Sequence, residues 1–370
     1  MLDGREHEYV TDCVQTGWIS SAGPYIDRFE KAWAAYCGRR TGVAVSNGTV
    51  ALEAAVRCLK LQPGDEVILP TFTIISCALA VIRGGAKPVL VDADPDTWCM
   101  DVGKIEAALT PRTRAIMPVH IYGHPVDMDP LIELADHHDL FLVEDAAEAH
   151  GGHYLRGWHG ETSTWKPCGS FGQVSCFSFY ANKIISTGEG GMVLTDDPTL
   201  ADRLRSLRNL YFEPERRFYH AEPGCNFRLT NLQAAVGLAQ FEKLEERLEH
   251  KRWMGKAYQE RLSRLSGLSL QTIKSWARPV YWMFGIVVDE RLGKTAAAVS
   301  DHLASRGVMT RPFFRGMHEQ PALHQMGLFR DEQYPVAERL ARQGLYLPSG
   351  PTLTYTQLDQ VCDAVTSVLS

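Results

Sequence analysis

The sequence predicts an α/β fold, with a mostly parallel central sheet flanked by helices and a smaller C-terminal α+β domain. Three observations predict it. Short apolar runs alternate with helical patterns over the first two-thirds of the chain, as in βαβ units. A charge-dense helical pattern at 229–265 then reads as a bridge. Beyond it lie a strand-like run at 281–289 and helical patterns at 295–306 and 356–369. The expected division is 1–246 for the large domain, including an N-terminal segment, and 247–370 for the small one.

Each element has its own signal. The run 42–46 (GVAVS) is strand-like, and Asn47-Gly48 is a turn. From Thr49, the apolar positions Val50, Ala51, Ala54, Ala55, Cys58 and Leu59 mark one helix face. Four more apolar runs, 66–69, 89–91, 115–119 and 140–143, read as strands, with a helix expected at 129–137. Runs 176–180 and 192–195 are further strands, separated by the glycine-rich STGEGG turn. Segment 154–168 is polar, carries two tryptophans and reads as a surface loop.

Composition narrows the class. Apolar residues make up 45% of the 370 and charged residues 22%, enough apolar content for a sizeable core. The net charge of −6 argues against a nucleic-acid or membrane-surface partner, since both need a basic face. No apolar run approaches the roughly 18 residues of a membrane span, and the first residues show no signal peptide. Nine scattered cysteines without close pairs read as reduced thiols of a cytoplasmic protein. The histidines form no zinc-ligand spacing, so no metal is expected.

Four features carry chemistry. Asp145 ends the apolar run FLVE, where a carboxylate meets a ligand at the carboxyl end of a buried strand. Alone it would read as a helix N-cap. Lys183 follows the strand FSFY and precedes STGEGG. Most lysines in such places are simply solvated, but partial desolvation makes an amine a nucleophile. Ser178, five residues before Lys183, could reach a phosphate with its hydroxyl. Gly48 and Thr49 open a helix directly after a strand, and free amides with the helix dipole suit an anion there. An ordinary glycine turn with a threonine cap is the plain alternative.

Six motifs place these residues in a family. GWISSAGPYIDRFE, AVSNGTVAL, GDEVILPTFT, VEDAAEAHG, CFSFYANKIISTGEGG and GCNFRLTNLQAAVG stand in order from about Trp18 onward. Together they resemble the DegT/DnrJ/EryC1/StrS sugar aminotransferases. The pieces TRPFFRGMHEQPAL and LPSG are most similar to the GDP-perosamine synthase branch. The resemblance implies the aspartate aminotransferase-like fold type I of pyridoxal phosphate (PLP) enzymes, and a homodimer with shared active sites.

The resemblance also implies roles, residue by residue. Lys183 matches the lysine that holds PLP as a Schiff base. Asp145 matches the partner of the pyridine nitrogen, and Glu148 lies near the PLP hydroxyl. Gly48, Thr49 and Ser178 match phosphate contacts. Asn226 matches an asparagine reaching the phosphate from the other subunit, and Arg228 belongs to the same motif. Ile74 occupies the position where many members stack an aromatic ring on PLP. Segment 154–168 is longer than the family's usual connector. Tyr25, Arg311, Arg315 and His318 are candidate substrate contacts, a cationic fork being suited to a diphosphate.

The expected reaction is transamination of a nucleotide-linked keto-deoxy sugar, with L-glutamate as the amino donor and pyridoxamine phosphate as the carrier. The rivals are a sugar 3-dehydratase, in which histidine replaces the lysine, a non-catalytic regulator on the same scaffold, and a generic amino-acid aminotransferase. Lys183 argues against the first, and the retained lysine, aspartate and phosphate residues against the second. Turnover between two amino acids, with no nucleotide sugar, would mark the third.

Overall fold

A computed structural model describes residues 1–370 except 161, 214, 217 and 370. Seven strands build the central sheet: β1 (Thr41–Val45), β2 (Glu66–Pro70), β3 (Lys87–Val91), β4 (Thr113–Ile116), β5 (Phe141–Asp145), β6 (Val174–Ser178) and β7 (Gly191–Thr195). Their spatial order is β1-β7-β6-β5-β4-β2-β3. Six run parallel; β7 is antiparallel to both of its neighbours, β1 and β6. All five residues of β2, of β6 and of β7 are buried, as expected when helices cover both faces. The sheet order sets the carboxyl ends of β1, β5 and β6 along one edge, the usual place for a ligand in an open α/β sheet.

A second sheet, of four antiparallel strands, lies in the C-terminal part. Its order is Leu268–Leu270, Phe284–Val288, Gly344–Leu347, Arg311–Pro312. Helices Ala296–Ser305 and Tyr355–Leu369 cover it and share its core through Val299, Leu303, Val361 and Val365.

The structure departs from the sequence reading in three places. The 229–265 pattern is two helices, Asn231–Glu242 and Leu244–Leu262, which meet at the non-helical Lys243. The second of them spans position 247; it gives Leu248 to the first core and Met254, Tyr258 and Leu262 to the second. The expected strand 115–119 stops at Ile116, two residues before Pro118, which cannot donate to a ladder. Segment 154–168 is not a surface loop. His153–Arg156 and Thr164–Pro167 form a hairpin, joined on its far edge by Ala277–Arg278. The fully buried Tyr154 pins it by donating to Asp127 Oδ1 (2.6 Å) and accepting from the Asp129 amide (3.0 Å). Arg156 pairs with Asp129 beside it. Tyr154 and Arg156 thus dock the base of the hairpin, while His159, Gly160, Thr162 and Ser163 toward its tip are exposed.

Candidate active site

The site begins where β1 ends. Asn47 caps helix Gly48–Cys58, its Oδ1 accepting the Val50 amide at 3.0 Å. The first amides of a helix have no intrahelical acceptor, so this terminus offers donors and a positive dipole end to an anion. Ser178, at the end of β6, packs directly against Gly48. A Cβ on Gly48 would lie 2.6 Å from Ser178 Cβ and 2.9 Å from its Oγ, so only glycine permits this approach. Thr49 is held by a hydroxyl–hydroxyl contact to Ser76 at 3.0 Å. The result is a small polar cradle at a helix N-terminus, which suits an anion.

Asp145 ends β5 and is 3% exposed. Its Oδ1 accepts the Ala147 amide at 3.0 Å, and its Oδ2 accepts the Cys77 thiol at 3.2 Å. Burial pushes its carboxyl up, while those two donors and Lys183 pull it down. A cationic ring nitrogen brought beside it would favour the ionised form further. Cys77 is fully buried and its thiol is held well above its ordinary range, so it stays a donor.

Lys183 follows β6 across a short turn closed by its own amide on the Tyr180 carbonyl (2.9 Å). Its Nζ lies 3.9 Å from Glu148 Oε1 and 3.8 Å from the centre of the Trp282 ring. Burial lowers its pKa, against the pull of Glu148 and Asp145. Glu148 is pushed up to about 7 by burial, opposed by Lys183 and by the Tyr122 amide, which donates to Oε2 at 2.7 Å. Tyr122 reaches it from a left-handed backbone (φ 56°), a conformation that side chains other than glycine rarely hold without reason.

These groups line one cavity of about 1210 Å³. Gly48, Thr49, Ile74, Asp145, Glu148, Ser178, Lys183 and Arg311 all face it. The set fits PLP: an anion cradle, a carboxylate for a ring nitrogen and a largely desolvated amine line one cavity. Ile74, 43% exposed, supplies an aliphatic edge where a stacking ring was expected.

Other candidates sit elsewhere in this chain. Tyr25 is buried, its hydroxyl donating to Asp12 Oδ2 at 3.0 Å. Asn226 bridges to Asn209, and Arg228 Nη1 donates to Asn209 Oδ1 at 2.9 Å; neither faces this cavity. His318 is buried between Thr71 (2.8 Å) and Glu338 (3.2 Å). Arg315 is outside the cavity lining. Sequence reasoning missed Cys77 and Trp282. Cys77 lies four residues past Thr73, the end of a motif already singled out, near the start of helix Ser76–Arg83. Trp282 lay inside an apolar run read as strand and gave no signal. Among the described residues, no group of His, Cys, Asp and Glu could hold a metal, and no helix is long and apolar enough to cross a membrane.

Comparison with known proteins agrees with this geometry. The chain is 43% identical to GDP-perosamine synthase of Caulobacter vibrioides, over 100% of this chain and 96% of that protein. It is 39% identical to GDP-perosamine synthase of Escherichia coli O157:H7, over 100% and 97%. Among solved structures, DesV of S. venezuelae superimposes with a TM-score of 0.90 at 38% identity, covering 99% of this chain and 94% of that one. Residues 1–366 match one family over nearly their whole span, and the chain belongs to it: the DegT/DnrJ/EryC1/StrS aminotransferase family.

Proposed function

We propose that this enzyme transfers an amino group from L-glutamate to the keto carbon of a nucleotide-linked 4-keto-6-deoxy sugar. The aminotransferase class and the PLP cofactor follow from the family. The sugar substrate is supported by the two GDP-perosamine synthases, which align with this chain from end to end. The observation that carries the reading is the shared cavity wall of Lys183, Asp145, Gly48 and Ser178.

When bound, PLP supplies an electron sink for a carbanion at the carbon next to its ring. The protein does the rest. The Gly48–Ser178 cradle and the helix terminus hold the phosphate. Asp145 keeps a proton on the ring nitrogen, and its buried charge is worth most as the carbanion develops. Lys183 Nζ would hold the cofactor and, when free, would be the base placed to carry a proton from the donor's Cα and to the sugar carbon. Glu148 and Trp282 bound the space in which that amine moves. Arg311 is the cavity residue best suited to the sugar diphosphate.

A homodimer is part of this reading. Asn226 and Arg228 lie off the cavity of their own chain and are assigned to the site of a second copy, in a cytoplasmic enzyme. Mixing Lys183→Ala and Asn226→Ala chains should restore about a quarter of wild-type activity, since random pairing leaves one intact site in half of the dimers. No recovery on mixing would end the shared-site assignment. The reaction itself is tested with a panel of nucleotide-linked 4-keto and 3-keto sugars and glutamate, read by product mass and NMR. An amine at C4 is expected. Net dehydration with no amine product would overturn it.

A further inference from the structure

We propose that Trp282 is the positioning residue of Lys183, gripping the lysine segment from two sides and keeping its amine dry. The proposal rests on the reading of Lys183 as the cofactor anchor. The indole face stands 3.8 Å from Lys183 Nζ. The indole Nε1 donates to the Asn182 carbonyl at 2.8 Å, which fixes the backbone just before the lysine. One side chain, 100 positions away in sequence, therefore holds both the amine and its peptide.

Trp282 is itself clamped. It is 6% exposed. Its carbonyl accepts from Lys251 Nζ at 2.9 Å, and the same ammonium reaches the Ser349 carbonyl at 2.6 Å. On its amide side, a Cβ on Gly123 would lie 3.1 Å from Trp282 N, so the backbones are close-packed there. The grip on Lys183 therefore transmits the placement of the C-terminal region, through Lys251 and Ser349, to the reacting amine.

The indole acts on the amine in two opposed ways. Its bulk excludes water, which disfavours the ammonium. Its π face attracts the ammonium, which favours it. The other groups bearing on Lys183 are Glu148, Asp145, Cys77 and His150. Glu148 and Asp145 favour the ammonium, and His150 is neutral, its pKa lowered to about 3 by burial. Trp282 is buried and stands 3.8 Å from the amine, and its water-excluding role is taken as the larger of the two. Substitutions separate the two roles. Alanine removes both, phenylalanine keeps a ring and loses the Nε1 donor, and leucine keeps apolar bulk and loses the π face.

The test is covalent capture of PLP by the apoenzyme, in which the Lys183 amine condenses with the aldehyde and releases one water. Its rate is followed by absorbance across about pH 6 to 10, and the inflection reports the Lys183 amine. For Trp282→Ala the inflection should rise by about one unit, and capture at neutral pH should slow about tenfold. For Trp282→Phe it should stay close to wild type. For Trp282→Leu it should fall by about half a unit. A purely structural role would slow capture equally at every pH and leave the inflection in place, which would overturn the proposal. An identical inflection in the phenylalanine and leucine variants would overturn it too, and that comparison decides the matter should the alanine variant not fold. Lys183→Ala is the control. Covalent capture in that variant would refute the anchor assignment itself, a result distinct from an unmoved inflection in the Trp282 series.

Discussion

Replacing Glu148 by glutamine removes one negative charge 3.9 Å from Lys183 Nζ and changes little else. The amide keeps an oxygen to accept the Tyr122 N–H, so the left-handed turn at 122 stays satisfied. The charge effect can be worked from the distance. Two unit charges at 3.9 Å interact by about 4 kcal/mol at an effective dielectric near 20, and by about 1 kcal/mol in bulk water. These bounds correspond to a fall in the Lys183 pKa of roughly 3 units and just under 1 unit. The two side chains are only 10% and 7% exposed, so the upper half of that range applies. The sign is fixed: without the carboxylate the ammonium loses stabilisation, and the free amine appears at lower pH. A second change accompanies it. The carboxyl that titrates near 7 is gone, so the step it contributes to the pH dependence of kcat should vanish. The assay is PLP capture by the apoenzyme and kcat, both against pH, in wild type and Glu148→Gln. A Lys183 inflection that stays put or moves upward would show that the 3.9 Å pairing does not govern the amine.

Substitutions at four other positions test the remaining parts of the site. Lys183→Ala should give no measurable amino-sugar product while still binding PLP reversibly, seen by dialysis and absorbance; turnover near wild type would remove Lys183 from the mechanism. Asp145→Asn should lower kcat by about 10²- to 10³-fold with KM nearly unchanged, because its charge acts mainly as the carbanion forms; an equal loss in KM would mean that it only helps binding. Cys77→Ala removes the thiol donor from Asp145 Oδ2 (3.2 Å), a bond to a charged group worth about 1.5–3 kcal/mol, so kcat should fall roughly ten- to a hundredfold and Cys77→Ser should recover most of it. Gly48→Ala forces a methyl to within 2.6 Å of Ser178 Cβ, which should cost about 1–3 kcal/mol in thermal stability and weaken PLP binding; a variant with unchanged melting and affinity would show that the cradle is not that tight.

The residues legible in the sequence share a property: their chemistry is set by their place on a strand. Asp145 and Ser178 end β5 and β6, and Gly48 follows β1 directly. A strand's carboxyl end in a parallel sheet is the usual place for a ligand, so reading the strand made each residue a candidate, and the family motifs gave it a role. Lys183 needed the ordered family motifs as well, because a lysine beside a glycine-rich turn reads on its own as solvated. The residues that stayed hidden depend on contacts no local pattern encodes. Cys77 meets Asp145 from 68 positions away, and Trp282 meets Asn182 from 100. In sequence, Trp282 was one apolar letter in a strand-like run, and burial alone explained it.

The same distinction explains the errors of fold. Segment 154–168 was misread because its polarity is answered by Asp127 and Asp129, whose side chains turn a polar stretch into a docked hairpin. The break at Lys243 was invisible because helical residues continue on both sides, and the packing partner changes only further on, between Leu248 and Met254. The helix before it buries Ala234, Ala235, Leu238 and Ala239 in the first core, while the helix after it turns Met254, Tyr258 and Leu262 into the second. A pattern of spacing reports that a face is buried and is silent on what buries it. Both Trp282 and the middle of helix Leu244–Leu262 lie where the chain passes from one core to the other. That passage is also where Lys251 ties Trp282 to Ser349, so the junction of the two cores and the environment of the reacting amine are set by the same contacts.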